Sequence, residues 1–291
     1  MDLHVDQDTG QLYGVVMITI VGGSILVAIW RAGVFGPRAF EAAPKRRGAL
    51  GLFDPFVAVA VLLVGMAAVG SFVGQPPPED QMTPRRMFIT MVATQAGALP
   101  AIVYILIRAG MVVEGGLLGF GFDPRRFGAA VRYALLGTVT AIPLTMAVSA
   151  IVMFVMQRLG LDAPQIAHEA LRKMTEEGWG PTRWGLIISA VVLAPIVEET
   201  IFRGMWQTAL LQSKVVLTPW AAIGITSVIF TLTHVQIANL NALPALFTLS
   251  LGLGYVYERS GSLLAPMLLH AIFNGLQIII ALNLPQTPAA S

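Results

Sequence analysis

The chain contains no cysteine, which excludes disulfides, thiolate catalysis and cysteine-held zinc. Charge is nearly as scarce. Asp, Glu, Lys and Arg make up 12% of the residues, about half the share found in soluble domains, which points away from a soluble enzyme. The net charge is only +2, and the basic residues fall in short loops. That pattern suits orientation in a bilayer and gives no footprint for nucleic acid. Positive charge is absent from residues 1–11, which hold Asp2, Asp6 and Asp8. A secretory leader needs a basic start and a small-residue cleavage site, so the first apolar run is predicted to be a retained span.

What remains is apolar. Hydrophobic residues reach 56% of the chain, leaving no room for a large separate soluble domain. The predicted fold class is all-α, a polytopic helical membrane protein with about eight transmembrane helices. The apolar runs fall at 12–30, 52–73, 87–108, 132–156, 184–209, 218–238, 242–257 and 263–283. The seventh is the shortest and is expected to be tilted, extended or partly re-entrant. Gln75-Pro76-Pro77-Pro78 and Asp123-Pro124 punctuate the runs, because a proline cannot continue a helical ladder. Residues 163–177 read as a short amphipathic helix with Ile166, Ala170, Leu171 and Met174 on one face. It is expected to lie on the headgroups, with a substrate-facing lid as the alternative. Gly70–Gly74 and Gly115–Gly119 match the small-xxx-small spacing of helix contacts. Twelve Lys and Arg fall in or beside loops 1, 3, 5 and 7 and six on the other side. The positive-inside rule then puts those loops in the cytoplasm and both termini outside.

Against this background a few polar groups stand out. Glu198, Glu199 and Arg203 ride on a helix otherwise fit for lipid, where each charge costs roughly 2.5–3.5 kcal/mol near the bilayer centre. Glu199 and Arg203 are four apart, on one face, and can pair. Glu198 is turned about 100° away and is left over. Pro195 predicts a kink just before it. His234 lies toward the end of the next run, one turn after Phe230. His270 and Asn274 share a face of the last run. If the three faces converge, they bring together a carboxylate, two imidazoles and an amide. Such a set can activate a water and hold an oxyanion, since a carboxylate away from water is a stronger base and buried donors count most.

Glu198-Glu199-x-x-x-Arg203, Phe230-x-x-x-His234 and His270-x-x-x-Asn274 resemble the motifs of the CAAX protease and bacteriocin-processing family, which includes the type II CAAX prenyl endopeptidases. The run from Gly252 to His270 also resembles the stretch joining that family's last two core helices. The resemblance covers about residues 184–280. It implies an intramembrane endopeptidase of glutamate type without metal. Glu198 and His234 would activate the water, His270 and Asn274 would form the oxyanion hole, and Glu199 with Arg203 would brace the helix. The domains implied are N-terminal membrane helices over 1–183, a catalytic core over 184–283 made by the last four helices, and a short tail at 284–291. The substrate would be a peptide or protein, membrane-associated or C-terminal, with prenylated tails among the options. The membrane would be the inner membrane of a prokaryote or the endoplasmic reticulum of a eukaryote. The excess of Arg over Lys, fifteen to three, leans toward a prokaryote.

Plainer readings stand beside this one. Glu199 and Arg203 suit a structural ion pair, Phe230 suits packing, and Asn274 could bond a neighbouring helix. A zinc ion on Glu198, His234 and His270 is a second chemical option, because imidazole and carboxylate both ligate zinc. A scaffold, an immunity protein or a proton-coupled transporter is the non-enzymatic option. Other protease signatures fail. His168-Glu169 begins a zinc-protease pattern, but Arg172 stands where its second histidine belongs. Gly119-Phe120-Gly121-Phe122-Asp123 only approximates an aspartyl intramembrane motif, and no serine motif is present. The oligomeric state is left open.

Overall fold

A membrane-spanning backbone must satisfy its own hydrogen bonds, and an apolar chain without strand-like alternation does so as helices. The computed structural model describes residues 7–36, 38–74, 77–78, 81–161, 169–213, 218–235 and 238–283. Nine helices order the described chain. They are α1 (Gln7–Arg31), α2 (Phe53–Val73), α3 (Pro84–Val112), α4 (Phe127–Arg158), α5 (Glu169–Glu176), α6 (Pro181–Gln212), α7 (Pro219–Thr233), α8 (Leu243–Ser260) and α9 (Leu264–Asn283). The described residues contain no strand, only an isolated antiparallel bridge between Gly48 and Val113. The protein is an all-α polytopic membrane protein.

Seven segments are long and apolar enough to cross a membrane. The eighth expected span is present as α7, but it is only 15 residues long. At 1.5 Å per residue it covers about 22 Å, less than the ~30 Å hydrocarbon core. The short helix is therefore the sixth in the expected series and not the seventh. α7 stops early because His234 takes the Phe230 carbonyl with its own ring Nδ1, at 2.8 Å. The His234 backbone N–H turns instead to Thr231, three residues back. The seventh span is longer than expected, since α8 begins with Pro244 in its first turn and ends on Gly261 at φ 68°.

The first half packs around the second. α4 lies against α1, α8 and α9, and α2 lies along α3. Ile105 and Ala109 of α3 share one core with Met205 of α6, Phe230 of α7 and Tyr257 of α8. Neither expected glycine pair makes a helix contact. Gly70 has open space around it, and Gly115 and Gly116 sit at φ 79° and 60° in a turn. The close approach is at Gly65 and Gly97, where a Cβ on Gly65 would fall 2.2 Å from the Gly97 carbonyl oxygen.

α5 turns its apolar face onto the bundle. Its Met174 is fully buried among Met82, Met87, Leu186 and Ile278, so α5 caps the bundle at the ends of α3, α6 and α9. Ile166 and His168 lie outside the described residues, as does the tail at 284–291. At the opposite end, residues 44–50 strap across the bundle. The Arg46 guanidinium lies 3.5 Å from the centre of the Tyr257 ring and pairs with Glu258 at 3.0 Å. Leu50 donates its N–H to Gln212.

Candidate active site

α6 does not run as a uniform α-helix. Ser189–Leu193 and Thr200–Gln207 are widened, π-helical stretches on either side of Ala194–Glu199. Pro195 accounts for the first of them. It has no N–H to give, and its ring would strike the carbonyl four residues back. The Ala194 N–H reaches back five residues to Ser189. The predicted kink is thus realised as a wider turn. Such turns recur at functional sites.

Below this turn the two glutamates separate as their spacing requires. Glu199 is fully buried, whereas the Glu198 side chain is 27% exposed. Glu199 Oε1 accepts from Arg203 Nη1 at 3.0 Å and from His270 Nδ1 at 2.8 Å. Arg203 Nη2 donates to the Ser250 hydroxyl at 2.7 Å and to the Ser250 carbonyl at 3.2 Å. The Phe230 ring lies 4.8 Å from the same guanidinium. Both terminal nitrogens of this buried arginine are thus partnered, while its Nε and Glu199 Oε2 are buried without a hydrogen-bond partner among the described residues.

Three helices then meet at Glu198. Its Oε2 lies 3.9 Å from His234 Nε2 and 4.0 Å from His270 Nε2. It is buried and has no hydrogen-bond partner among the described residues. Phe230 sits beneath both imidazoles, with ring centres 4.5 Å from His234 and 6.1 Å from His270. The tautomers follow from the partners. His234 Nδ1 faces a carbonyl, which can only accept. His270 Nδ1 faces a carboxylate that also holds Arg203. Each Nδ1 therefore donates, and a neutral ring then leaves its Nε2 as an acceptor toward Glu198. Upright helices would have set His234 and His270 at different depths. The structure sets both beside the same Glu198 oxygen.

Asn274 stands one turn beyond His270, and its Nδ2 donates to the Ala190 carbonyl at 2.8 Å. The expected contact with a neighbouring helix is thus made. Nδ2 carries a second hydrogen that this bond does not use. Among the described residues no group of three or more His, Asp or Glu is placed to hold a metal ion.

Two residues of the site escaped the sequence. Ser250 serves Arg203 across α8, and only packing reveals which α8 residue faces α6. Gln95 of α3 donates to the Ser189 carbonyl at 3.0 Å. Its signal was legible as a polar amide inside an otherwise apolar run, in a half of the chain with no motif.

The comparisons with known proteins point to the same segment. Residues 180–276 match the Rce1-like family, described as type II CAAX prenyl endopeptidase Rce1-like. The match takes in the segment that carries the three motifs, about a third of the chain, and makes that segment similar to the CAAX-type intramembrane proteases. An uncharacterized 24.3 kDa protein of Escherichia coli is 39% identical over 84 residues, which are 29% of this chain and 38% of that protein. The chain thus spans about two fifths of the length of the curated relative it matches. No solved structure matches.

Proposed function

We propose that the chain is an intramembrane endopeptidase that hydrolyses a peptide bond with a water activated by Glu198 and His234. The observation that supports this best is the convergence of Glu198 Oε2 with two imidazole Nε2 atoms at 3.9 and 4.0 Å. These gaps are too long for direct hydrogen bonds and suit one bridging water. A water between them gives one hydrogen to Glu198 and one to His234, and its oxygen attacks the carbonyl. Glu198 takes the proton and returns it to the leaving amine.

His270 and Asn274 stabilise the oxyanion. Asn274 uses its free amide hydrogen. His270, held through Nδ1 by Glu199, turns its Nε2 toward the same point. The substrate is a membrane-associated or C-terminal peptide segment, with prenylated tails one class to assay. The protein works in the inner membrane if its source is prokaryotic.

The test uses the full chain in lipid nanodiscs with prenylated and unprenylated peptides. Glu198→Gln is expected to lower cleavage about 10²- to 10⁴-fold, the range for loss of a general base. Undiminished cleavage by Glu198→Gln would sink the mechanism. Cleavage that a strong chelator abolishes and zinc restores would replace it with a zinc-dependent one.

A further inference from the structure

The widened turn at Ser189–Leu193 is stitched from outside its own helix. In an α-helix the Ala190 carbonyl accepts from residue 194, and in a π-helix from residue 195. The Ala194 N–H is given to Ser189, and residue 195 is proline. Ala190 therefore loses both ordinary donors, and Asn274 replaces them at 2.8 Å. The neighbouring Ser189 carbonyl receives a second donor from Gln95 at 3.0 Å. Two amides from α3 and α9 thus hold two successive carbonyls of one turn.

Gln95 is kept at a cost that only its donor explains. Its Oε1 is buried and has no hydrogen-bond partner, and an unsatisfied buried acceptor is unfavourable. A leucine there would avoid that loss. The turn it holds lies directly before Glu198. If it relaxed to α geometry, one residue of register would pass along α6 and the two halves of the helix would rotate relative to each other by about 100°. The lower half is fixed by Glu199, Arg203 and Ser250. The upper half is fixed by Leu186 in the core beneath α5. The widened turn is what lets both anchors hold while Glu198 faces the histidines.

We infer that Gln95, together with the Ala190-bound hydrogen of Asn274, is a positioning residue that holds this turn open and so aims Glu198 at His234 and His270. The inference rests on the reading of Glu198 as the base. Its test does not depend on cleavage. The chain has no cysteine, so Glu198→Cys with His234→Cys can be joined by a short bifunctional thiol reagent in nanodiscs. Adding Gln95→Leu is expected to slow crosslinking about fivefold, the factor that one hydrogen bond is worth, with thermal stability retained. An unchanged crosslinking rate in folded Gln95→Leu protein overturns the inference. Should Gln95→Leu not fold, Gln95→Met decides the matter, because its unbranched side chain keeps the length of glutamine without the donor to Ser189. Slower crosslinking in Gln95→Met supports the inference, and an unchanged rate overturns it. A chain that positions residues 198 and 234 as expected yet cleaves no peptide refutes the proposed function alone.

Discussion

Arg203 is the residue on which the buried charges of the site depend. It is fully enclosed, and Glu199 beside it has no exposure at all. Removing one partner of such a pair strands the other, at about 3–5 kcal/mol. Arg203→Ala is therefore expected to lower the melting temperature sharply in detergent. Replacing both residues with Met removes the charge problem, and the fold is expected to survive. Cleavage should still fall, because His270 Nδ1 loses the acceptor that holds its ring. A melting curve beside a cleavage assay separates these outcomes, and a double Met variant with full activity would deny Glu199 its part in orienting His270. At this scale the sequence was informative in one direction. The four-residue spacing of Glu199 and Arg203 predicted their pairing and left Glu198 over, since a single helix fixes both. Ser250 stayed hidden because its contact depends on how two helices cross.

Helices show the same division between local and long-range order. The runs announced where helices lie to within a few residues, because hydropathy is read from adjacent positions. What they did not announce was the stop of α7, which depends on one side chain. His234 spends its Nδ1 on the Phe230 carbonyl and so blocks the next rung of the ladder. Hydropathy could not see this, since Val235 is as apolar as its predecessors. The glycine contacts were misplaced for a related reason. A small-xxx-small spacing is common in membrane helices, and only the α2–α3 crossing shows that Gly65 and Gly97 are the pair in use. Gly65→Leu is expected to destabilise the protein by about 1–3 kcal/mol or more, as overpacking does. Gly70→Leu, which points into open space, is expected to change little. Thermal melting of the two variants in the same detergent compares them, and equal losses would contradict this crossing.

For the whole molecule, the site has a fixed place relative to the two membrane faces. The strap at residues 44–50 closes the end where α3, α6 and α8 finish, through Val113, Gln212 and Glu258. α5 closes the other end, where α3 and α6 begin and α9 finishes. Arg203 is buried inside the bundle and paired with Glu199, so it drops out of the orienting charges, which leaves the remaining bias toward the strap end. A short α7 does not reverse the topology. α7 starts at the strap end, where Trp220 donates to the Val34 carbonyl, and α8 returns there to Tyr257. The chain still crosses and comes back between them. The strap end is thus expected in the cytoplasm and the α5 end outside. Lys45 and Gly178 are both exposed, one at each end. With no native cysteine to interfere, Lys45→Cys and Gly178→Cys report the two faces separately. A membrane-impermeant thiol reagent added to intact cells should label Gly178→Cys at once, and Lys45→Cys only after permeabilisation. The reverse pattern would turn the protein over. The face from which a peptide reaches Glu198 would then be assigned the other way, while the geometry among Glu198, His234 and His270 would stay as it is.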